Sequence, residues 1–268
     1  MNQPYKIAEA AMSWPAMMWD IEMLKMRSKK CTTTLYSYNK NQKEQPKTEK
    51  MEIREALKFI EEYSLSPHQD TSYYIKQVNI ENFDSLMKDL RGVGVYKEKI
   101  VEINLWIGNK DASTPWHYDL MDNAIIQIEG NKTILLGRPE LTKFFKPQIR
   151  RPINAHENKD FNFSTADVQE LNQKILNQPR SFEKIDLKKG DIAIIPPYWW
   201  HQVECKSEVS ITANYFYNSQ HNNRAEKISE EIRSLDEIYN ILKSSNDERR
   251  IAIQEILKTM CMDKKVWK

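Results

Sequence analysis

In Thr114-Pro115-Trp116-His117-Tyr118-Asp119 an imidazole and a carboxylate stand two residues apart. On an extended backbone, residues i and i+2 project from the same face, so this pair can close on one ion. Two such ligands fill only part of an octahedral shell, and the third must come from elsewhere in the chain. His201 ends an unusual run, Pro196-Pro197-Tyr198-Trp199-Trp200-His201. Two histidines and one carboxylate on one face leave the opposite positions open, so that a co-substrate and dioxygen can bind side by side; this is the donor set of ferrous oxidation chemistry. A His-x-Asp triplet by itself is weak evidence and more often a hydrogen-bonded surface pair; company at fixed distances changes that reading. His68, His156 and His221 have no motif around them and read as surface residues.

These ligands need a rigid support, and the middle of the chain reads as β. Val101, Ile103, Leu105 and Ile107 alternate strictly, which places them on one face of a strand. Ala124–Ile128 and Thr133–Leu136 flank Glu129-Gly130-Asn131-Lys132, a tight-turn signal, and are expected to form a hairpin. Asp191–Ile195 and Val209–Tyr217 are also strand-like, and many short strands in one region suggest a sandwich or barrel. Residues 139–184 are loop-rich, with a short helix expected near Ala166–Leu176; an insertion of that length in a β core is often a lid or recognition loop.

Upstream, helical spacing runs from Arg54 to Tyr63, and Tyr73–Val78 reads as a strand; the polar stretch Ser37–Lys50 reads as a loop or solvated edge. From Arg224 onward, Ala225, Ile228, Ile232, Leu235, Ile238 and Leu242 form one helical stripe. Ser245 and Glu248 make a capping-box signal for a second helix reaching about Met260. This pair either packs back on the core or joins another subunit, which would give a homodimer. The expected organisation is a domain over 1–223, with a core at about 95–220 and an N-terminal α/β flank over 1–94, followed by a helical extension over 224–268.

Composition narrows the function classes. Of 268 residues, 40 are basic and 38 acidic, giving a net charge of +2. A general attraction to nucleic acid or an anionic membrane is therefore not indicated, though a local patch is compatible with it. Cys31, Cys205 and Cys261 include no CxxC pair, so neither a disulfide framework nor a thiolate zinc site is expected. The apolar stretch Ala8–Trp19 is broken by Ser13 and Pro15 and does not read as a signal peptide; no stretch reaches the length of a membrane span. A reducing, cytoplasmic location is the expectation, and it suits a ferrous centre.

The segments Leu105–Pro139 (LWIGNKDASTPWHYDLMDNAIIQIEGNKTILLGRP) and Leu187–Val203 (LKKGDIAIIPPYWWHQV) resemble the JmjC or cupin-like oxygenases. Within that family they resemble the asparaginyl hydroxylase acting on hypoxia-inducible factor. Ala11-Met12-Ser13-Trp14-Pro15-Ala16 and Trp19-Asp20 look like that family's entry strand and helix. The resemblance is strongest over about residues 100–217. It implies a mainly β fold with helices: a double-stranded β-helix, or jelly-roll, core with N-terminal α/β elements and a C-terminal helical pair. It also implies Fe(II) on His117, Asp119 and His201, with 2-oxoglutarate as co-substrate.

A strand lysine pointing inward is costly unless an anion pairs with it; otherwise Lys132 is an exposed hairpin residue. The resemblance assigns Lys132 to the far carboxylate of 2-oxoglutarate and Thr114 to a donor on the same group. Tyr74 is a further candidate there, with Tyr73 adjacent. Asn123 and Asn214 match family asparagines near the metal and co-substrate, with structural networking as the rival role. Trp199 and Trp200 either pack the core or shape the pocket, and neither reads as catalytic. Trp116 replaces a small residue of the asparaginyl hydroxylase; its ring is expected to face away from the ligand pair.

The implied reaction consumes dioxygen and 2-oxoglutarate and releases succinate and carbon dioxide as it hydroxylates a protein or peptide side chain. Within the family the substrate could instead be a small molecule, a modified tRNA base or an N-methyl group. Outside the enzyme class stand a cupin-type metal-binding module without turnover and an assembly protein built on the C-terminal helices.

Overall fold

A computed structural model of the chain describes residues 3–39, 46–66, 70–93, 100–145, 163, 164, 166, 171 and 182–217. Twelve strands make two antiparallel sheets. They are β1 (Tyr5–Ile7), β2 (Thr32–Asn39), β3 (Lys47–Glu52), β4 (Thr71–Asn79), β5 (Ile100–Gly108), β6 (Ser113–His117), β7 (Asp122–Glu129), β8 (Lys132–Gly137), β9 (Phe182–Leu187), β10 (Ile192–Ile195), β11 (Trp200–Cys205) and β12 (Ser210–Tyr217). The large sheet runs β1-β10-β7-β12-β5-β4-β2-β3 and the small one β6-β11-β8-β9. This is a jelly-roll of the cupin type.

The alternation along β5 sorts its faces. Ile103, Leu105 and Ile107 are buried on the outer face, while Val101, near the strand's start, stays exposed. That outer face is covered by two helices, α1 (Ile21–Arg27) and α2 (Ile53–Leu65). Leu24, Ile53, Leu57 and Ile60 join Leu105, Ile107 and Ile126 in one core. Burial of each such side chain contributes about 1.5–3 kcal/mol, so α2 is held by its apolar stripe. Asp20 starts α1 by accepting a hydrogen bond from the Met23 N–H at 2.7 Å. Between the sheets lies a second core of Ile125, Ile134, Leu136, Ile195 and Val203. Strands β7 and β12 are buried on both faces, with Asn123, Gln127, Thr212 and Asn214 as polar residues among the apolar ones.

Two expectations, the hairpin and the entry strand, need correction. The segments Ala124–Ile128 and Thr133–Leu136 do not pair as a hairpin: β7 lies between β10 and β12 in the large sheet, and β8 between β11 and β9 in the small one. The turn signal is real, but Gly130 (φ 71°) carries the chain from one sheet to the other; a Cβ there would meet the Val209 carbonyl at 2.1 Å. Of the two readings of Ser37–Lys50, the solvated edge holds: its ends belong to β2 and to the exposed edge strand β3. The entry strand is Tyr5–Ile7, whereas Ala11–Ala16 forms turns leading into a short 3-10 segment.

The C-terminal stripe from Ala225, the capping box at Ser245, and most of the helix expected near Ala166–Leu176 lie outside the described residues. Among the described residues, no helix is long and apolar enough to cross a membrane.

Candidate metal centre and co-substrate pocket

Strand β6 pairs antiparallel with β11, and their register sets His201 directly opposite His117. The third ligand therefore comes from the next strand of the small sheet, across one hydrogen-bonded step. The two imidazole centroids are 4.1 Å apart. Asp119 follows β6 in a loop, and its Oδ2 lies 3.5 Å from His201 Nε2. One ligand atom from each of His117, Asp119 and His201 falls within 4.8 Å of the others. The Tyr198 N–H, at a residue of positive φ (67°) in the β10–β11 turn, donates to the Asp119 carbonyl at 2.9 Å and so ties the Asp119 loop to the turn that leads into His201.

Both rings are oriented by their own strands. His117 Nδ1 lies 2.8 Å from the Pro115 carbonyl, and His201 Nδ1 lies 2.9 Å from the Trp199 carbonyl. A carbonyl only accepts, so each Nδ1 carries the proton and each Nε2 keeps a free lone pair. Burial, with the neighbouring His201, holds the His117 pKa down at about 3, which keeps the ring neutral and able to ligate. Two neutral imidazoles and one carboxylate fit a divalent iron centre with open positions. The Asn123 Nδ2 donates to Asp119 Oδ2 at 2.9 Å, a support that aims the carboxylate.

Beside this cluster is a cleft lined by Tyr74, Thr114, Lys132, Asn123, Asn214 and both histidines, with Trp106 and Thr212. Lys132 is 2% exposed. Its Nζ donates to the Tyr74 hydroxyl at 3.1 Å, and burial pushes its pKa down. No carboxylate pairs with it among the described residues, so its ammonium form lacks the counter-charge that an anionic ligand would supply. It is not an exposed hairpin residue. Thr114 is buried and hydrogen-bonds to Tyr74. The choice between the adjacent tyrosines is made by the pleat: Tyr74 points into the cleft, while Tyr73 packs on Phe59 of α2, ring centroids 5.3 Å apart.

Asn214 does not point to Lys132. Its Nδ2 meets Asn123 Oδ1 at 3.2 Å, so the two amides form one network ending on Asp119. Trp116 turns away from the metal ligands onto Phe145 and Phe182 on the outer face of the small sheet. Trp200 stacks on Phe145 at 4.4 Å in that same cluster, and Trp199 belongs to the core between the sheets.

Two residues at the site have no counterpart in the motif reading. Trp106 lines the cleft; the alternation of β5 already places it opposite Ile107's face, which was an available signal. Phe163, from the long insertion, bridges to His117 and stacks on its ring at 5.2 Å and 16°. Nothing in the local sequence marks it.

Residues 1–223 match the family model described as cupin-like domain. The chain is 32% identical over 172 residues to JmjC domain-containing protein D of Dictyostelium discoideum, covering 56% of this chain and 37% of that protein. It is 27% identical over 170 residues to lysine-specific demethylase 8 of Danio rerio, covering 60% of this chain and 39% of that protein. A third relative is tRNA wybutosine-synthesizing protein 4 of Aspergillus oryzae, 32% identical over 108 residues, covering 40% of this chain and 10% of that protein. The chain thus spans well under half the length of each of these relatives.

Proposed function

We propose, for a chain that belongs to the cupin-like domain family, an Fe(II)- and 2-oxoglutarate-dependent dioxygenase that hydroxylates a protein or peptide side chain, releasing succinate and carbon dioxide. One observation carries this reading: a buried Lys132, without a carboxylate partner among the described residues, lines the same cleft as His117 and His201, the two histidines that cluster with Asp119. A bare metal-binding module has no use for such a cation, whereas a dicarboxylate co-substrate neutralises it.

When bound, Fe(II) and 2-oxoglutarate would supply the electrons that activate dioxygen, the oxidant, for attack on a C–H bond. The chain's own residues do the rest. His117, Asp119 and His201 would hold the ion. Lys132, Tyr74 and Thr114 would take the far carboxylate and set the co-substrate's orientation. Asn123 and Asn214 hold the Asp119 carboxylate in place. Phe163, stacked on His117, and Trp106, in the cleft wall, limit the entry of water.

A second reading follows from the names of two relatives, a lysine demethylase and a tRNA wybutosine-synthesizing protein. It makes the substrate an N-methyl group or a modified tRNA base. The test is turnover of 2-oxoglutarate with product mapping in peptides, tRNA and metabolites, comparing the wild type with His117→Ala. The expected product has gained one oxygen atom on a protein side chain. Loss of a methyl group, or an oxidised tRNA base, selects the second reading; succinate release independent of iron and dioxygen contradicts both.

A further inference from the structure

Lys76 follows Tyr74 by two residues on β4, and tyrosine rings enclose its ammonium. Its Nζ is 4.7 Å from the Tyr36 centroid, 5.4 Å from Tyr38 and 5.3 Å from Tyr74. The pleat builds this cage: Tyr36 stands opposite Tyr74 across β2 and β4, and Tyr38 follows two residues on. The walls are fixed in place. The Tyr38 hydroxyl donates to the Ser113 carbonyl at 2.8 Å, and the Tyr74 hydroxyl accepts from Lys132.

A ring face stabilises an ammonium by about 0.5–2 kcal/mol but offers its N–H groups no oxygen. Among the described residues, no acceptor hydrogen-bonds Lys76 Nζ and no carboxylate pairs with it. Burial lowers its pKa to about 8, and Lys132 nearby pushes the same way, so the group is still mostly protonated at neutral pH. Lys132 Nζ lies 5.3 Å from the same Tyr74 ring. Two ammoniums thus share one tyrosine, and their ionisable neighbour Cys205 is a buried thiol whose pKa is raised. A half-buried ammonium in a tyrosine cage gives up part of its hydration, and no carboxylate among the described residues stands beside it as counter-charge. A bound anion offsets that cost.

We propose that Lys76, walled by Tyr36, Tyr38 and Tyr74, seats an oxyanion of the primary substrate, a carboxylate or a phosphate, beside the co-substrate pocket. The inference rests on the reading that 2-oxoglutarate neutralises Lys132, which leaves Lys76 as the second cation awaiting a partner. It narrows the substrate to one that carries a negative group near its reacting carbon. Tyr74 connects the two seats: its ring centroid lies 5.3 Å from Lys76 Nζ and 5.3 Å from Lys132 Nζ.

The test uses the full chain with ¹³C-labelled lysine, following the ε-methylene NMR signals of Lys76 and Lys132, assigned through K76Q and K132Q. Acetate and inorganic phosphate are titrated separately, with and without Zn(II) and the unreactive co-substrate analogue N-oxalylglycine. The Lys76 signal should move saturably with one probe, at about tenfold lower concentration than exposed Lys29, a difference of about 1.4 kcal/mol. It should do so with the analogue bound, and whichever probe binds more tightly assigns carboxylate or phosphate. K76R should keep a seat and K76Q lose it, while unchanged spectra elsewhere show that both variants fold. A Lys76 signal that moves no more than Lys29, or a probe that moves Lys132 alone, overturns the proposal. The analogue reports separately on the co-substrate reading: it must move Lys132. If it leaves Lys132 unmoved while phosphate moves Lys76, the co-substrate reading fails and the anion seat does not.

Discussion

The indole Nε1–H of Trp106 donates to Asn214 Oδ1 at 2.8 Å. An indole nitrogen has no lone pair to accept with, so this bond fixes which way the Asn214 amide faces. Its NH₂ must then meet Asn123 Oδ1, and the Asn123 NH₂ must meet Asp119 Oδ2. A donor-only group on β5 thereby sets the polarity of a chain that ends on the candidate metal carboxylate.

That chain predicts graded effects on metal affinity. Asn123→Ala removes the donor on Asp119 and should weaken Mn(II) binding about 10- to 100-fold. Trp106→Phe keeps a ring in the wall but frees both amides, and should cost a smaller, roughly threefold loss. Isothermal titration of the two variants checks the order. Wild-type affinity in Asn123→Ala would show that the amide chain is only structural.

Lys132 should show opposite effects on stability and binding. Lys132→Met replaces a buried, unpaired ammonium with an apolar chain of similar length, so the ligand-free protein should melt at a higher temperature. The same change removes a charge-assisted bond, and 2-oxoglutarate should bind about 10- to 100-fold more weakly, the equivalent of 1.5–3 kcal/mol. Calorimetry and a binding isotherm on the same preparation decide it; a lower melting temperature with unchanged binding would assign Lys132 a packing role.

His117 gives the metal-free protein a pH dependence of definite sign. Its pKa is near 3 in the folded state against 6.5 unfolded, so the fold favours the neutral ring. This stability is present in full above pH 6.5 and is lost as pH falls toward 3. By about pH 5.5 the wild type should have lost on the order of 1 kcal/mol from this group. His117→Gln should lack that part of the loss. Urea unfolding of chelator-treated protein at neutral and mildly acidic pH measures the difference, and identical slopes for the two proteins would contradict it.

How far the site was legible follows from what each signal physically encodes. His-x-Asp and the run ending in His201 are local patterns, and alternation along β5 states a face, so these were readable. A turn signal such as Gly130-Asn131 states that the chain reverses, not which strand it then joins; the misread hairpin came from that. Tyr74 could be chosen over Tyr73 only once the register of β4 against β5 was known, and the register shifts between Ile75 and Val78 near the positive-φ Gln77. Lys76 was overlooked for the same reason: its cage is made by strands β2 and β4 meeting across about forty residues of chain. Phe163 reaches His117 from an insertion with no periodicity of its own.

The central claim is that one ion on His117, Asp119 and His201 and a dicarboxylate on Lys132 share a single site. The most direct measurement is the melting temperature with 2-oxoglutarate, in the presence and absence of Mn(II), for the wild type and Asp119→Ala. At about a hundred times its dissociation constant the co-substrate should add about 2.7 kcal/mol to the wild type, and only with metal present. An equal rise without metal, or an undiminished rise in Asp119→Ala, would contradict the account.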